Sequence, residues 1–155
     1  METTWITGGK DMDVLTMLGY GGCAAAIGIP AIGSAIGVGI AGAVSHGVMA
    51  KVDEGHGKFI GISAAPSSQT IYGLILMFVL LPKVSVAGLG VLLIGVFCGL
   101  GIMVSAIFQG KVAATAILGA SRKQEIFGKA FAAVGMVESF AIFALVAGIV
   151  MTGNI

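Results

Sequence analysis

The stretch AFAAVGMVESFAIFALVAGIVM, Ala130 to Met151, decides the fold class, because its 22 residues carry one charge only, Glu138. A run of this length is long enough to cross the hydrocarbon core of a bilayer as a helix, which takes about 20 residues. A carboxylate near the middle costs about 2.5–3.5 kcal/mol on insertion scales, so such groups face a bundle interior, a partner or an ion pathway. The run therefore predicts a membrane helix with an ion-handling site on it.

The rest of the chain agrees. With 57% hydrophobic and 10% charged residues and a mean hydropathy of +1.09, it excludes a soluble domain with a charged surface. Apolar segments at roughly 14–49, 58–81, 84–120 and 126–152 predict an all-α membrane protein with four transmembrane helices. They divide the chain into an N-terminal segment (1–13), a first helical hairpin (14–81) and a second hairpin (84–152) that carries the glutamate. The first and third segments exceed one bilayer crossing, so they tilt or project on one side. Met1 to Asp13 has Glu2, Asp11 and Asp13 and lacks a cationic lead into a short apolar core, unlike a cleaved signal peptide. Lys51, Lys58, Arg122, Lys123 and Lys129 follow helices one and three, whereas Lys10 and Lys83 lie at the other end. The positive-inside rule then places both basic loops in the cytoplasm and both termini outside, in a multi-pass protein of the cell membrane. A net charge of +1 argues against nucleic-acid binding.

The chain also repeats itself. A gapless shift of 71 positions sets Ser34-Ala35-Ile36 on Ser105-Ala106-Ile107, Gly39 on Gly110, Glu54 on Glu125, and Gly57-Lys58 on Gly128-Lys129. In that register Ser67 stands where the second hairpin has Glu138, and Val38 where it has Gln109. One duplicated hairpin and one acidic site per chain follow.

Helix geometry gathers polar residues around that acid. Gln109 and Glu138 lie nearly equidistant from the turn near Lys123 and Gln124, so antiparallel helices bring them to one depth. On the second helix Ala65, Ser68, Gln69 and Tyr72 fall at i, i+3, i+4 and i+7, one stripe at the same level. Pro66 lacks an N–H and frees a carbonyl one turn earlier, which in a membrane must be satisfied again by an ion or by neighbouring hydroxyls. Carboxylate, amide oxygens, hydroxyl and carbonyl suit a hard alkali cation, with sodium the natural choice. A proton needs only the carboxyl and one acceptor. The competing reading makes Gln69 and Gln109 interhelical glue.

These residues carry a family resemblance. Pro66-Ser67-Ser68-Gln69-Thr70-Ile71-Tyr72-Gly73, Phe108-Gln109-Gly110-Lys111-Val112-Ala113-Ala114 and Met136-Val137-Glu138-Ser139-Phe140-Ala141 resemble the duplicated proteolipid of V-type and archaeal-type rotary ATPases. The likeness spans nearly the whole chain and is greatest to the bacterial sodium-pumping form, the K subunit. It implies a homo-oligomeric rotor ring, helices one and three inside and helices two and four outside. It further implies a stator membrane subunit with an arginine, and a central stalk and soluble sector that hydrolyses ATP. The chain itself is then non-catalytic. The resemblance makes Glu138, Gln109, Gln69, Ser68 and the Ala65 carbonyl ligands of Na+, with Tyr72 as a supporting donor to the glutamate. Ser68 departs from the threonine of the sodium form; it keeps the hydroxyl but not the stiffening methyl. Proton-carrying relatives share the fold, so H+ stays the alternative cargo.

Gly33, Gly37, Ala41 and Ser45 recur every fourth residue and predict a close-packing face, for ring assembly or for packing within one chain. Other signals carry less. Gly37 to Gly42 matches a dinucleotide glycine pattern but lies inside an apolar helix. Cys23 and Cys98 read as small core residues, and His46 and His56 lack metal-like companions. Lys111 is two residues from Gln109, so it points away from Glu138 if Gln109 points toward it. A small cation-coupled secondary transporter would also use one membrane glutamate but needs a substrate cavity. A channel-forming or structural four-helix protein leaves the second-helix polar stripe without a use.

Overall fold

The structure, a computed structural model, describes residues 12–155, and these are all-helical apart from short turns. Glu2, Lys10 and Asp11, which entered the reading of the N-terminal segment and its sidedness, lie outside the described residues. Helix α1 runs over Val14–Met49, started by Asp13, whose carboxylate accepts the Thr16 N–H at 2.7 Å. The second span is built in pieces: α2 (His56–Ala64), a 3-10 turn over Ala65–Ser67, α3 (Ser68–Leu80) and a closing 3-10 turn at Leu81–Lys83. Helix α4 covers Gly88–Arg122, and α5 covers Phe127–Thr152 after a 3-10 turn at Gln124–Ile126. All four spans are long and apolar enough to cross a membrane. The third begins at Gly88 rather than near residue 84, because the Lys83 carbonyl takes the N–H groups of both Val86 and Ala87 and closes the preceding turn.

The closest packing lies between the two hairpins, along α1 and α4. A Cβ placed on Gly22 would sit 2.5 Å from the Leu92 Cα, and one on Gly33 would sit 2.6 Å from the Met103 carbonyl oxygen. Only glycine allows such backbone approach, which is how membrane helices gain dispersion contact without a hydrophobic drive between them. Gly33, Gly37, Ala41 and Ser45 are all buried in this way. The ring-assembly use of that stripe is thereby corrected: these four residues join the hairpins of one chain.

A second close approach positions the site. Pro30 supplies no N–H to the Ala26 carbonyl one turn back, and Gly73 of α3 lies so near that a Cβ there would be 2.6 Å from that oxygen. The glycine's Cα–H groups are left to face the carbonyl, a weak but favourable contact. Two apolar clusters then fill the bundle. One gathers Leu76, Leu80, Val91 and Ile102; the other gathers Phe59, Ile62, Ile117 and Val134. Gln69 and Gln109, both 0% exposed, sit in the layer between them. Large side chains such as Phe78, Phe97 and Phe143 cover the outside, as a lipid-facing surface requires.

Candidate functional site

Three spans meet at the polar layer. Glu138 projects from α5 and is half-buried; its Oε1 accepts hydrogen bonds from the Ser68 hydroxyl and the Tyr72 phenol, each at 2.6 Å. Gln109 of α4 donates from Nε2 to the Val134 carbonyl at 3.2 Å and to Glu138 Oε2 at 3.4 Å. Gln69 of α3 donates from its own Nε2 to Gln109 Oε1 at 2.8 Å. The equal-depth argument and the helical stripe thus bring together Glu138, Gln109, Gln69, Ser68 and Tyr72. Charge-assisted donors of this kind are the strong class of hydrogen bond, and they hold an anion where bare burial would be costly.

The proline turn shapes the rest. The carbonyl freed by Pro66 is that of Ile62, and the Ala65 N–H takes it as the helix tightens to 3-10 geometry. The chain itself therefore resolves the proline's missing donor, without an ion. The same turn directs the Ala65 carbonyl at Ser68, where it accepts the Ser68 N–H and lies 3.1 Å from the Ser68 hydroxyl oxygen. Gln69 Oε1 lies 3.3 Å from that hydroxyl as well. The Ser68 hydroxyl has one proton, and the 2.6 Å contact assigns it to Glu138. The Ala65 and Gln69 oxygens consequently face Ser68 with lone pairs that the hydroxyl cannot serve. Around the Ser68 hydroxyl three oxygens share one proton, an acceptor set of the kind that suits a hard cation.

Sequence reasoning missed one contributor. Ser105, one turn before Gln109 on α4, donates to the Val137 carbonyl at 2.8 Å. Together with the Gln109 bond to Val134, it ties the α5 backbone to α4 beside Glu138. Its i−4 spacing from Gln109 was the available signal. Lys111 is exposed and stacks over Phe108, 4.7 Å from the ring centroid, rather than pairing with Glu138. Among the described residues the ion pair present is Lys123 with Glu125, at 3.6 Å on the surface. Cys23 and Cys98 are free thiols, the first in the apolar core. His56 bonds the Val52 carbonyl through Nε2 at 2.7 Å.

Comparison with known proteins adds an independent line. The chain is similar to the A-type ATP synthase subunit K of Methanocaldococcus jannaschii, with 37% identity over 137 residues. That alignment takes in 87% of this chain and 61% of the archaeal protein, so the chain spans about three fifths of its relative's length. The family model for the C subunit of ATP synthase matches twice, over residues 21–80 and 92–151, and the two copies stand in the same 71-residue register as the internal identities. By its duplicated match, its four apolar helices and the glutamate of its second copy, the chain belongs to the ATP synthase C-subunit family.

Proposed function

We propose that this chain is the non-catalytic rotor proteolipid of an A/V-type rotary ATPase, assembled as a homo-oligomeric ring that carries Na+ at Glu138. The observation that carries the sodium reading is the oxygen inventory around Ser68: Glu138 Oε1 at 2.6 Å, the Ala65 carbonyl at 3.1 Å and Gln69 Oε1 at 3.3 Å. Glu138, Ser68, Gln69, Gln109 and the Ala65 carbonyl are the proposed ligands, and Tyr72 holds the carboxylate in position. A proton would use the carboxyl and one acceptor, and leave Gln69 and Gln109 to the interhelical bonds they make with each other and with Val134.

A cation on the carboxylate makes the site neutral, and a neutral site crosses a lipid-facing arc far more cheaply than a bare charge. Ring rotation would carry it between two access paths at a stator subunit, where a membrane arginine displaces it. Moving one charge against 100 mV takes about 2.3 kcal/mol, so torque from ATP hydrolysis in a soluble sector, passed through a central stalk, must supply the work. Lys51, Lys58, Arg122, Lys123 and Lys129 cluster where α1 and α4 end and α2 and α5 begin. That end is assigned to the cytoplasm, with the described C-terminus outside.

The test is labelling of Glu138 by a hydrophobic carbodiimide while sodium is varied at fixed pH. Sodium protection is expected. Labelling that follows pH and ignores sodium would replace Na+ by H+ as the cargo.

A further inference from the structure

Two buried hydroxyls depart from a habit that others in the spans keep. Ser63, Thr115, Ser139 and Thr152 each give their proton to a carbonyl three or four residues back, the local bond that serves a hydroxyl inside a helix. Among the described residues, Ser34 Oγ and Ser45 Oγ are the buried side-chain atoms without a partner. Ser34 is 5% exposed and Ser45 1%, and a polar atom buried so deeply is costly to leave unserved. The two differ in what surrounds them.

Ser45 lies between Ala41 and Val48, both members of an apolar cluster. Ser34 lies at the polar layer. Contacts between α1 and the second span fix this register: a Cβ on Gly73 would be 2.9 Å from the Pro30 Cγ, and one on Gly37 would be 2.8 Å from the Pro66 Cβ. Ser34 stands four residues after Pro30 and three before Gly37; Gln69 stands four before Gly73 and three after Pro66. On antiparallel helices of equal rise, Ser34 and Gln69 therefore stand opposite each other. Helix α4 closes the third side, with Met103 against Gly33 and Ala106 against Gly37.

Gln69 has a matching need. The Val134 carbonyl takes Gln109 Nε2, which leaves Gln109 Oε1 as an acceptor and makes Gln69 present its Nε2 there. Gln69 Oε1 is thereby turned toward Ser68 and the proposed cation. A side-chain amide has two N–H groups. Gln109 takes one, and the second has no acceptor among the hydrogen bonds of the described residues. Were the amide to turn over, its N–H groups would face Ser68 and a cation would meet protons in place of an oxygen.

We propose that Ser34 is a positioning residue for the cation site: its hydroxyl oxygen accepts, through at most one water, the second N–H of Gln69 and so keeps the amide oxygen aimed at the ion. Side chains on antiparallel helices tilt toward opposite ends, which leaves between this pair a separation that one bridging water spans. With Ser34 every span contributes to the site, α1 acting from behind the glutamine without touching the ion. This inference rests on the sodium reading above and adds a residue to it.

Sodium protection of Glu138 from the carbodiimide, in the assembled protein, tests it. S34A should raise the half-protecting sodium concentration about fivefold, the worth of one ordinary hydrogen bond, and leave labelling without sodium as in the parent. S45A removes an equally buried hydroxyl from an apolar setting and should change nothing. In a Q69A background S34A should have no further effect, because Ser34 acts through that amide, whereas a packing role would weaken protection equally in both backgrounds. A density map of the sodium-loaded assembly should place Ser34 Oγ within hydrogen-bonding reach of Gln69 Nε2 or of a water shared with it. Unchanged protection in S34A, a loss that persists in Q69A, or a map with neither contact would overturn the positioning role and leave the sodium site standing. A parent whose labelling ignores sodium would overturn the sodium reading and this inference together.

Discussion

Replacing Tyr72 by phenylalanine removes one oxygen and keeps the ring. The phenol donates to Glu138 Oε1 at 2.6 Å and is one of two short donors to that oxygen. Hydrogen bonds to a charged group contribute about 1.5–3 kcal/mol, and each 1.4 kcal/mol is about tenfold in an equilibrium constant. Tyr72 is half-buried, so the lower end of that range applies and the expected effect is about tenfold. A sodium-loaded site keeps the carboxylate charge and a proton-loaded one cancels it. Loss of a donor to the charge thus penalises sodium relative to the proton. In the carbodiimide assay at fixed pH, Y72F should need about ten times more sodium for half-protection, while ring assembly is unchanged. The control is S139A, since Ser139 is spent on the Met136 carbonyl of its own helix at 2.7 Å. A half-protecting sodium concentration for Y72F within about twofold of the parent would refute the claim that the phenol supports the carboxylate's charge.

Other perturbations separate the site from its surroundings. Gln69 and Gln109 share a 2.8 Å bond, so Q69A and Q109A should weaken sodium protection non-additively in a double-mutant cycle; additive losses would mean that the two amides act independently. K111Q should leave sodium protection unchanged, because Lys111 stacks on Phe108; a tenfold change would put Lys111 into the site. G73V should lower the melting temperature of the detergent-solubilised protein, since its side chain meets the Ala26 carbonyl at 2.6 Å and overpacking costs about 1–3 kcal/mol. An unchanged melt would contradict the close approach. The Thr16 N–H holds the Asp13 carboxyl below its ordinary value of 3.8. The cap is therefore fully present above the unfolded-state pKa and is lost as pH falls through the lower folded-state value. The Thr16 amide should lose its exchange protection in strong acid, measured against an unstructured peptide, and protection that persists there would discount the cap.

The depth match of Gln109 and Glu138 was legible because antiparallel helices of equal rise conserve distance from their turn. The Ala65–Tyr72 stripe was legible because side chains three and four apart share a face. The turn at Ala65–Ser67 was half legible. Pro66 announces a break, but the sequence does not say that the Ala65 N–H will take the Ile62 carbonyl. The two small-residue faces of α1 were the hardest to tell apart. Gly33, Gly37, Ala41 and Ser45 recur every fourth residue, and Gly21, Gly28, Ala35 and Gly39 recur at sevens and a four; both spacings keep one helix face, and periodicity does not say which face the other hairpin occupies. Only three-dimensional contact separates them, through backbone approach at Gly33 and open space at Gly28 and Gly39. Ser105 escaped notice because its donor bond goes to a backbone carbonyl, and side-chain patterns do not report backbone acceptors.

The central claim is that one alkali cation binds per chain and that the Glu138 carboxylate is required for it. Equilibrium binding of radioactive sodium to the purified assembly, beside an E138Q assembly, tests this directly. The account predicts saturable binding of one sodium per chain in the parent and none in E138Q. Sodium binding that survives E138Q, or a parent that binds none at any pH, would contradict it.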